Sequence, residues 1–336
     1  MRWPLHPTPL WEESLSSWLH RLTAAYDMTL DEWLEALFVT PIPDDFTLDT
    51  NPPVALIDKL MQGTGLSKEC LYQMTLKSFT PWIMDGLEAP DQFNLYEDYF
   101  TQHFSVLPWP ACKEEPCCRT YFNRQHVIPW LDRNTAPSLC VDCIQSDAIP
   151  YLRIFWRLAL LGSCTQHKTL LTKDRIGWKK SLQFKNLIHL QPAPEPIAFV
   201  DRLSFQAITT GRVIYDNTIQ FNAAVYCRWI RLLIEELFCG SLDREGIMEV
   251  WYMAGASYKV GLFDWDIECY ESLKLDYRCW VLKVIGFILN ELPTLIQHGK
   301  LDFSSRGELI NMPKRINRQE ILLDKYLIAA LNHPLA

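Results

Sequence analysis

Cys140, Cys143, Cys164 and His167 fall into two chelating pairs, Cys-Val-Asp-Cys and Cys-Thr-Gln-His, separated by twenty residues. Thiolate sulfur and imidazole nitrogen at this spacing suit Zn²⁺, and four such ligands close a tetrahedral shell with no position left for water. A site of that kind braces a fold, and structural zinc contributes on the order of 10 kcal/mol to folding. A second set lies upstream, where Cys112, Cys117, Cys118 and His126 offer four more donors. Its spacing is less regular, and adjacent cysteines do not easily ligate one ion. A second metal and ordinary thiols are therefore both open readings. Cys70, Cys227, Cys239, Cys269 and Cys279 lie in apolar helical text and read as small buried hydrophobes.

Residue patterns for catalysis are missing from the sequence. It has no H-E-x-x-H, no G-x-S-x-G and no phosphate-binding glycine pattern, and only 13 glycines in all. Paired carboxylates such as Glu235-Glu236 read as a charged helix face. A metal-dependent enzyme would need an open coordination position or a carboxylate cluster, so the expectation is a non-enzymatic protein.

The stretch between the two ligand pairs must position them. Pro150 through Leu161 is expected to form a helix opened by its proline, with Arg153 and Arg157 four residues apart on one face. Together with Arg133, Lys168, Lys173, Arg175, Lys179 and Lys180 they compose a candidate phosphate-facing patch. The competing reading is a solvated face with ion pairs to Asp142 and Asp147. Upstream, Leu15, Trp18, Leu19, Leu22 and Ala25 repeat at helical spacing behind a Ser14 cap, and a second helix is expected from Leu30 through Phe38. Residues 53–78 outline a helix, a glycine turn and a Ser67-capped helix, with Gly63 suited to a left-handed C-cap. That is the outline of a helix-turn-helix, and equally of a helical corner that only packs. Pro192 to Pro196 reads as a linker. Beyond it, Ala223–Cys239, Leu242–Met253 and Tyr277–Gln297 read as helices.

The expected architecture is mainly α. It comprises an N-terminal helical domain with the helix-turn-helix (1–107), a basic zinc-finger module (108–190) and a C-terminal helical domain (191–336). At 336 residues, with 13 Trp, 13 Tyr and 16 Phe, the chain can bury sizeable cores. Its net charge of −8 is uneven: 5 Lys/Arg face 16 Asp/Glu in the first part, 12 face 6 in the second, and 15 face 18 in the third. A basic module in an acidic protein suggests local contact with a phosphate backbone rather than binding over the whole surface. Eleven cysteines with no secretory signal point to reduced thiols in a bacterial cytoplasm. No run approaches the roughly 18 apolar residues of a membrane span.

Three stretches carry a resemblance. They are Glu13-Ser-Leu-Ser-Ser-Trp-Leu-His-Arg-Leu22, then Thr64-Gly-Leu-Ser67 with Met74-Thr-Leu76, then Cys140 and Cys143 followed by Asp147, Pro150-Tyr-Leu-Arg153, Trp156-Arg-Leu158, Cys164 and His167. In this order the chain resembles the TniQ/TnsD family of transposon target-selection proteins. The resemblance implies zinc on Cys140, Cys143, Cys164 and His167, and a helix-turn-helix over 53–78. It also implies an adaptor that links a DNA-targeting component, its own or an RNA-guided CRISPR surveillance complex, to an AAA+ ATPase and a transposase. One departure is clear: many members carry a further C-P-x-C after the C-x₂-H, and Leu170 to Gly177 contains none. The alternative function is a sequence-specific zinc-containing DNA-binding protein, an attachment-site selector or a transcription regulator. A homodimer is compatible with bridging, although no heptad pattern demands it.

Overall fold

The structure is a computed structural model. It describes residues 2–37, 41–79, 130–132, 136–173, 191–215, 219–238, 251–256 and 270–297. It is dominated by helices, as the sequence leads one to expect. Among the described residues no helix is long and apolar enough to cross a membrane. Two compact units are distinguished. One comprises Met1–Thr80, Asn134–Leu158 and Leu171–Leu190; the other comprises Pro81–Arg133, Ala159–Leu170 and Gln191–Ala336. The stretch read as one central module is thus divided between them.

In the first unit, α1 (Leu15–Ala24) starts where Ser14 accepts a hydrogen bond from the Ser17 amide. Helix α2 (Leu30–Ala36) opens on a complete capping box, with Thr29 and Glu32 each satisfying the other's amide. Short α3 (Asp45–Thr50) is capped by Asp44. Helix α4 (Val54–Thr64) ends at Gly65, whose φ of 77° is the left-handed conformation a helix C-terminus favours. Gly65 therefore makes the stop expected of Gly63. Gly63 lies inside the helix under the Trp3 indole, where an added Cβ would stand 2.3 Å from ring atoms. After Ser67 caps it, α5 (Lys68–Gln73) completes the helix-turn-helix outline. Leu15, Trp18, Leu19, Leu22, Leu34, Leu48, Leu56, Ile57, Leu60 and Leu71 are fully buried in one core. Each contributes roughly 1.5–3 kcal/mol by leaving water.

The central stretch adds a two-stranded antiparallel pair to this unit, β1 (Ser138–Leu139) with β2 (Thr172–Lys173), and helix α6 (Val141–Ser146). The helix expected from Pro150 to Leu161 does not form; the chain makes only a 3-10 turn at Ile154–Arg157, flanked by extended Arg153 and Leu158, and a second turn at Ala159 and Leu160. The reason lies in the hydrogen bonds. Ser14 N–H donates to Leu152 O at 2.8 Å, Ile154 N–H donates to Glu12 O at 2.8 Å, and Leu152 N–H donates to Ser17 Oγ at 3.1 Å. The backbone of 152–154 bonds to the start of α1 and not to its own preceding turn. All residues from Tyr151 to Cys164 are buried, so no apolar face repeats at a helical or strand period.

In the second unit, α7 (Glu195–Thr210), β3 (Arg212–Tyr215), β4 (Ile219–Asn222), α8 (Ala223–Phe238) and α9 (Leu275–Gln297) follow in order. Strands β3 and β4 pair antiparallel, with Arg212 opposite Asn222 and Tyr215 opposite Ile219. The prolines read as a linker instead open α7: Pro194 is its N-cap and Pro196 stands in its first turn, where a missing amide costs nothing. Gly286 of α9 meets the Pro196 carbonyl so closely that an added Cβ would lie 2.0 Å from the oxygen. Two buried ion pairs, Arg231 with Glu271 and Arg278 with Asp132, stand beside this apolar packing.

Candidate metal centre

The ligand atoms of Cys140, Cys143, Cys164 and His167 all lie within 4.8 Å of one another. A tetrahedron with metal–sulfur bonds of about 2.3 Å has edges of about 3.8 Å, so closing around an ion needs shifts of about 1 Å. The edge between Cys164 Sγ and His167 Nδ1 already measures 3.8 Å. The three cysteines are buried and the histidine half-buried. Chemistry and spacing together make this a set that can hold a metal ion.

Each pair is shaped locally. Cys140 is the N-cap residue of α6 with an extended backbone, and Cys143 stands in the helix's first turn. Cys164 and His167 sit on a tight turn: Lys168 N–H donates to Cys164 O at 2.7 Å, and Cys164 N–H donates to Thr169 O at 2.8 Å. Lys168 closes that turn at a φ of 55°, a left-handed conformation unusual for a side chain of its kind. The root of the turn is held from α7. Asp201 accepts hydrogen bonds from Gly162 N–H at 3.1 Å and from Ser163 through both N–H and Oγ. Burial pushes the Asp201 carboxyl up to about 7, against the pull of these three donors. Asp201 was not recognised in the sequence, because the prolines ahead of α7 hid the helix. The available signal was a lone acid among Ile197, Val200, Leu203 and Ala207 on the buried face.

Among the described members of the basic patch expected around the centre, Arg153 and Arg157 are buried and paired. Arg157 is 3% exposed and pairs with fully buried Asp49 at 2.9 Å; Asp49 also accepts from Ser16 N–H and Oγ. Burial raises the Asp49 carboxyl even with Arg157 beside it. Arg153 is 8% exposed and pairs with Asp147 at 3.1 Å. The Asp147 pairing follows the alternative sequence reading, but both guanidiniums face inward, and neither offers a phosphate-facing surface. The Nζ of half-buried Lys173 donates to Ala136 O at 2.9 Å, while Lys168 is exposed. Arg133, Arg175, Lys179 and Lys180 lie outside the described residues, as does the second donor set Cys112, Cys117, Cys118 and His126. Of the cysteines read as buried hydrophobes, Cys227 and Cys279 are buried and Cys70 is half-buried; Cys239 and Cys269 fall outside.

A family profile described as TniQ matches residues 4–171, which span α1 to α6 and all four ligands. No curated protein and no solved structure matches the chain.

Proposed function

Because the chain belongs to the TniQ family, whose members select targets in transposition, we propose that it is a non-enzymatic adaptor. It links a DNA-targeting component, a CRISPR surveillance complex among the candidates, to an AAA+ ATPase and through it to a transposase. The ion at Cys140, Cys143, Cys164 and His167 is assigned as zinc. Three thiolates and an imidazole are the donors of structural zinc sites, and they fill the shell without leaving a position for water or substrate. The observation that carries the reading is that one family match covers both the capped helices of the first unit and the complete ligand set.

A reconstituted insertion assay tests this. With the cognate ATPase, transposase and targeting component, the protein is expected to direct insertion to a defined site. Omitting it should scatter or abolish those insertions while strand transfer chemistry persists. Site-directed insertion at an unchanged rate without the protein would sink the adaptor reading.

The helix α4, Gly65 turn and capped α5 favour a second reading, in which the chain itself binds duplex DNA in a sequence-specific manner. That reading requires specific binding by the isolated protein with a steep loss of affinity as salt rises. Retention on a surveillance complex or ATPase without duplex binding decides for the adaptor.

A further inference from the structure

The corner formed by α4 and α5 gathers the cations of an otherwise acidic region. Of the 5 Lys/Arg among residues 1–107, Arg21 is paired with buried Glu13. The other four, Arg2, Lys59, Lys68 and Lys77, lie on this corner or against it. Of the 16 acids in the same region, only Asp58 and Glu69 fall within residues 53–79. The Glu69 carboxylate is bound back to Ser67 and to its own amide at the start of α5, and Asp58 adjoins Lys59 on α4. The acidic balance of the whole region therefore hides a local excess of positive charge.

These cations are held in place. Lys68 opens α5, and Lys77 stands on a 3-10 turn just past its end. Their ammonium groups lie 5.7 and 5.4 Å from the centre of one ring, that of half-buried Tyr72, and so within about 11 Å of each other. The ring attracts both cations while they repel one another. A phosphate beside the ring relieves that repulsion and meets two donors already positioned. Lys77 Nζ also donates to Asn51 Oδ1 at 3.4 Å. Arg2 is fixed over the turn between the helices: Trp3 N–H donates to Gly63 O at 2.7 Å, and a Cβ added at Gly65 would stand 2.9 Å from the Arg2 Cζ. Both Arg2 and Lys68 are exposed. Resting on the reading in which the chain itself binds duplex DNA, we propose that Arg2, Lys68 and Lys77 contact the phosphate backbone of a duplex, with Tyr72 as the positioning residue that holds the two lysines. Duplex DNA is the occupant on which charge and outline agree. The cations crowd a helix-turn-helix outline, in which the second helix enters a groove while flanking groups grip the backbone. Phosphate contact thus falls to this corner rather than to the buried Arg153 and Arg157 between the ligand pairs.

The test uses the full chain and a fluorescent duplex of arbitrary sequence, with affinity followed from low to moderate salt. Arg2→Ala, Lys68→Ala and Lys77→Ala should each make the slope of log affinity against log salt shallower by about 0.9, and the triple variant by about 2.7, alike for any sequence. Lys274→Ala, at an exposed lysine of the second unit, should keep the wild-type slope. Tyr72→Leu leaves every charge in place and should weaken binding about 2- to 5-fold at an unchanged slope, while Tyr72→Phe keeps the ring and should bind as wild type does. Wild-type affinity in Tyr72→Leu, or equal loss in Tyr72→Phe, overturns the positioning role. Should Tyr72→Leu fail to fold, the slopes of the three single variants decide. A triple variant with the wild-type slope overturns the inference alone, because the chain then binds duplex through another surface. A wild-type chain without affinity for the duplex at low salt overturns the inference and the duplex-binding reading together. Tighter binding to single-stranded DNA or RNA of the same length overturns the assignment of a duplex.

Discussion

The two ligand pairs solve one geometric problem in different ways. Cys140 and Cys143 are placed by the start of a helix, where the backbone of α6 sets the separation of the thiols. Cys164 and His167 are placed by a turn that relies on a left-handed Lys168 and on a carboxylate from α7, Asp201, some forty residues away in sequence. A chelating pair on a helix start needs only local hydrogen bonds. One on a strained turn needs a long-range brace, and the brace brings a pH dependence that the helix-borne pair lacks.

The comparison breaks first at the ligands. Cys143→Ser should abolish metal binding and cost several kcal/mol, toward the order of 10 kcal/mol that structural zinc supplies. Metal analysis and thermal unfolding of the purified variant check this. One full equivalent of zinc with an unchanged Tm would mean that the four residues are not a ligand set.

Asp201 should separate the second pair from the first. Its folded pKa of about 7 lies above the ordinary carboxylate value, so between about pH 4 and 7 the folded protein keeps a proton that the unfolded chain has released. The favourable contribution of that proton is complete below the unfolded value and is lost as pH rises through the folded one, by up to about 4 kcal/mol. Metal binding runs the opposite way, because acid protonates thiolates. The difference between wild-type and Asp201→Asn unfolding free energies cancels the shared metal dependence. It should slope across this window, and a flat difference would remove Asp201 from the account.

The smallest effect belongs to the turn. Lys168→Gly puts the residue tolerant of left-handed backbone where φ is 55°, and should change stability by no more than about 1 kcal/mol, in the stabilising direction. Denaturant midpoints are sensitive enough to see it. A loss exceeding 1 kcal/mol would show that the lysine side chain, rather than its backbone, matters to the turn.

What could be read along the chain was what is local. The ligand pairs follow from the reach of two residues three positions apart, and the helix starts at Ser14 and Ser67 follow from side chains that bond their own first turn. Helices α8 and α9 were visible from apolar periodicity, because one face of each is buried. What failed depended on distant partners. The prolines before α7 look the same in a linker and in a helix cap, and only packing of Ile197, Val200 and Leu203 distinguishes them. Arg153 and Arg157 look like a helix face four residues apart. Tertiary structure decided otherwise, because residues 12–17 take up the backbone hydrogen bonds of 152–154, and Asp49, 108 residues before Arg157, takes its charge. The sequence by itself picked out the four residues that could hold a metal ion, since chelation is a property of short spacing. Whether the arginines between the ligands face solvent or the interior is a property of burial, and burial is set by the whole fold.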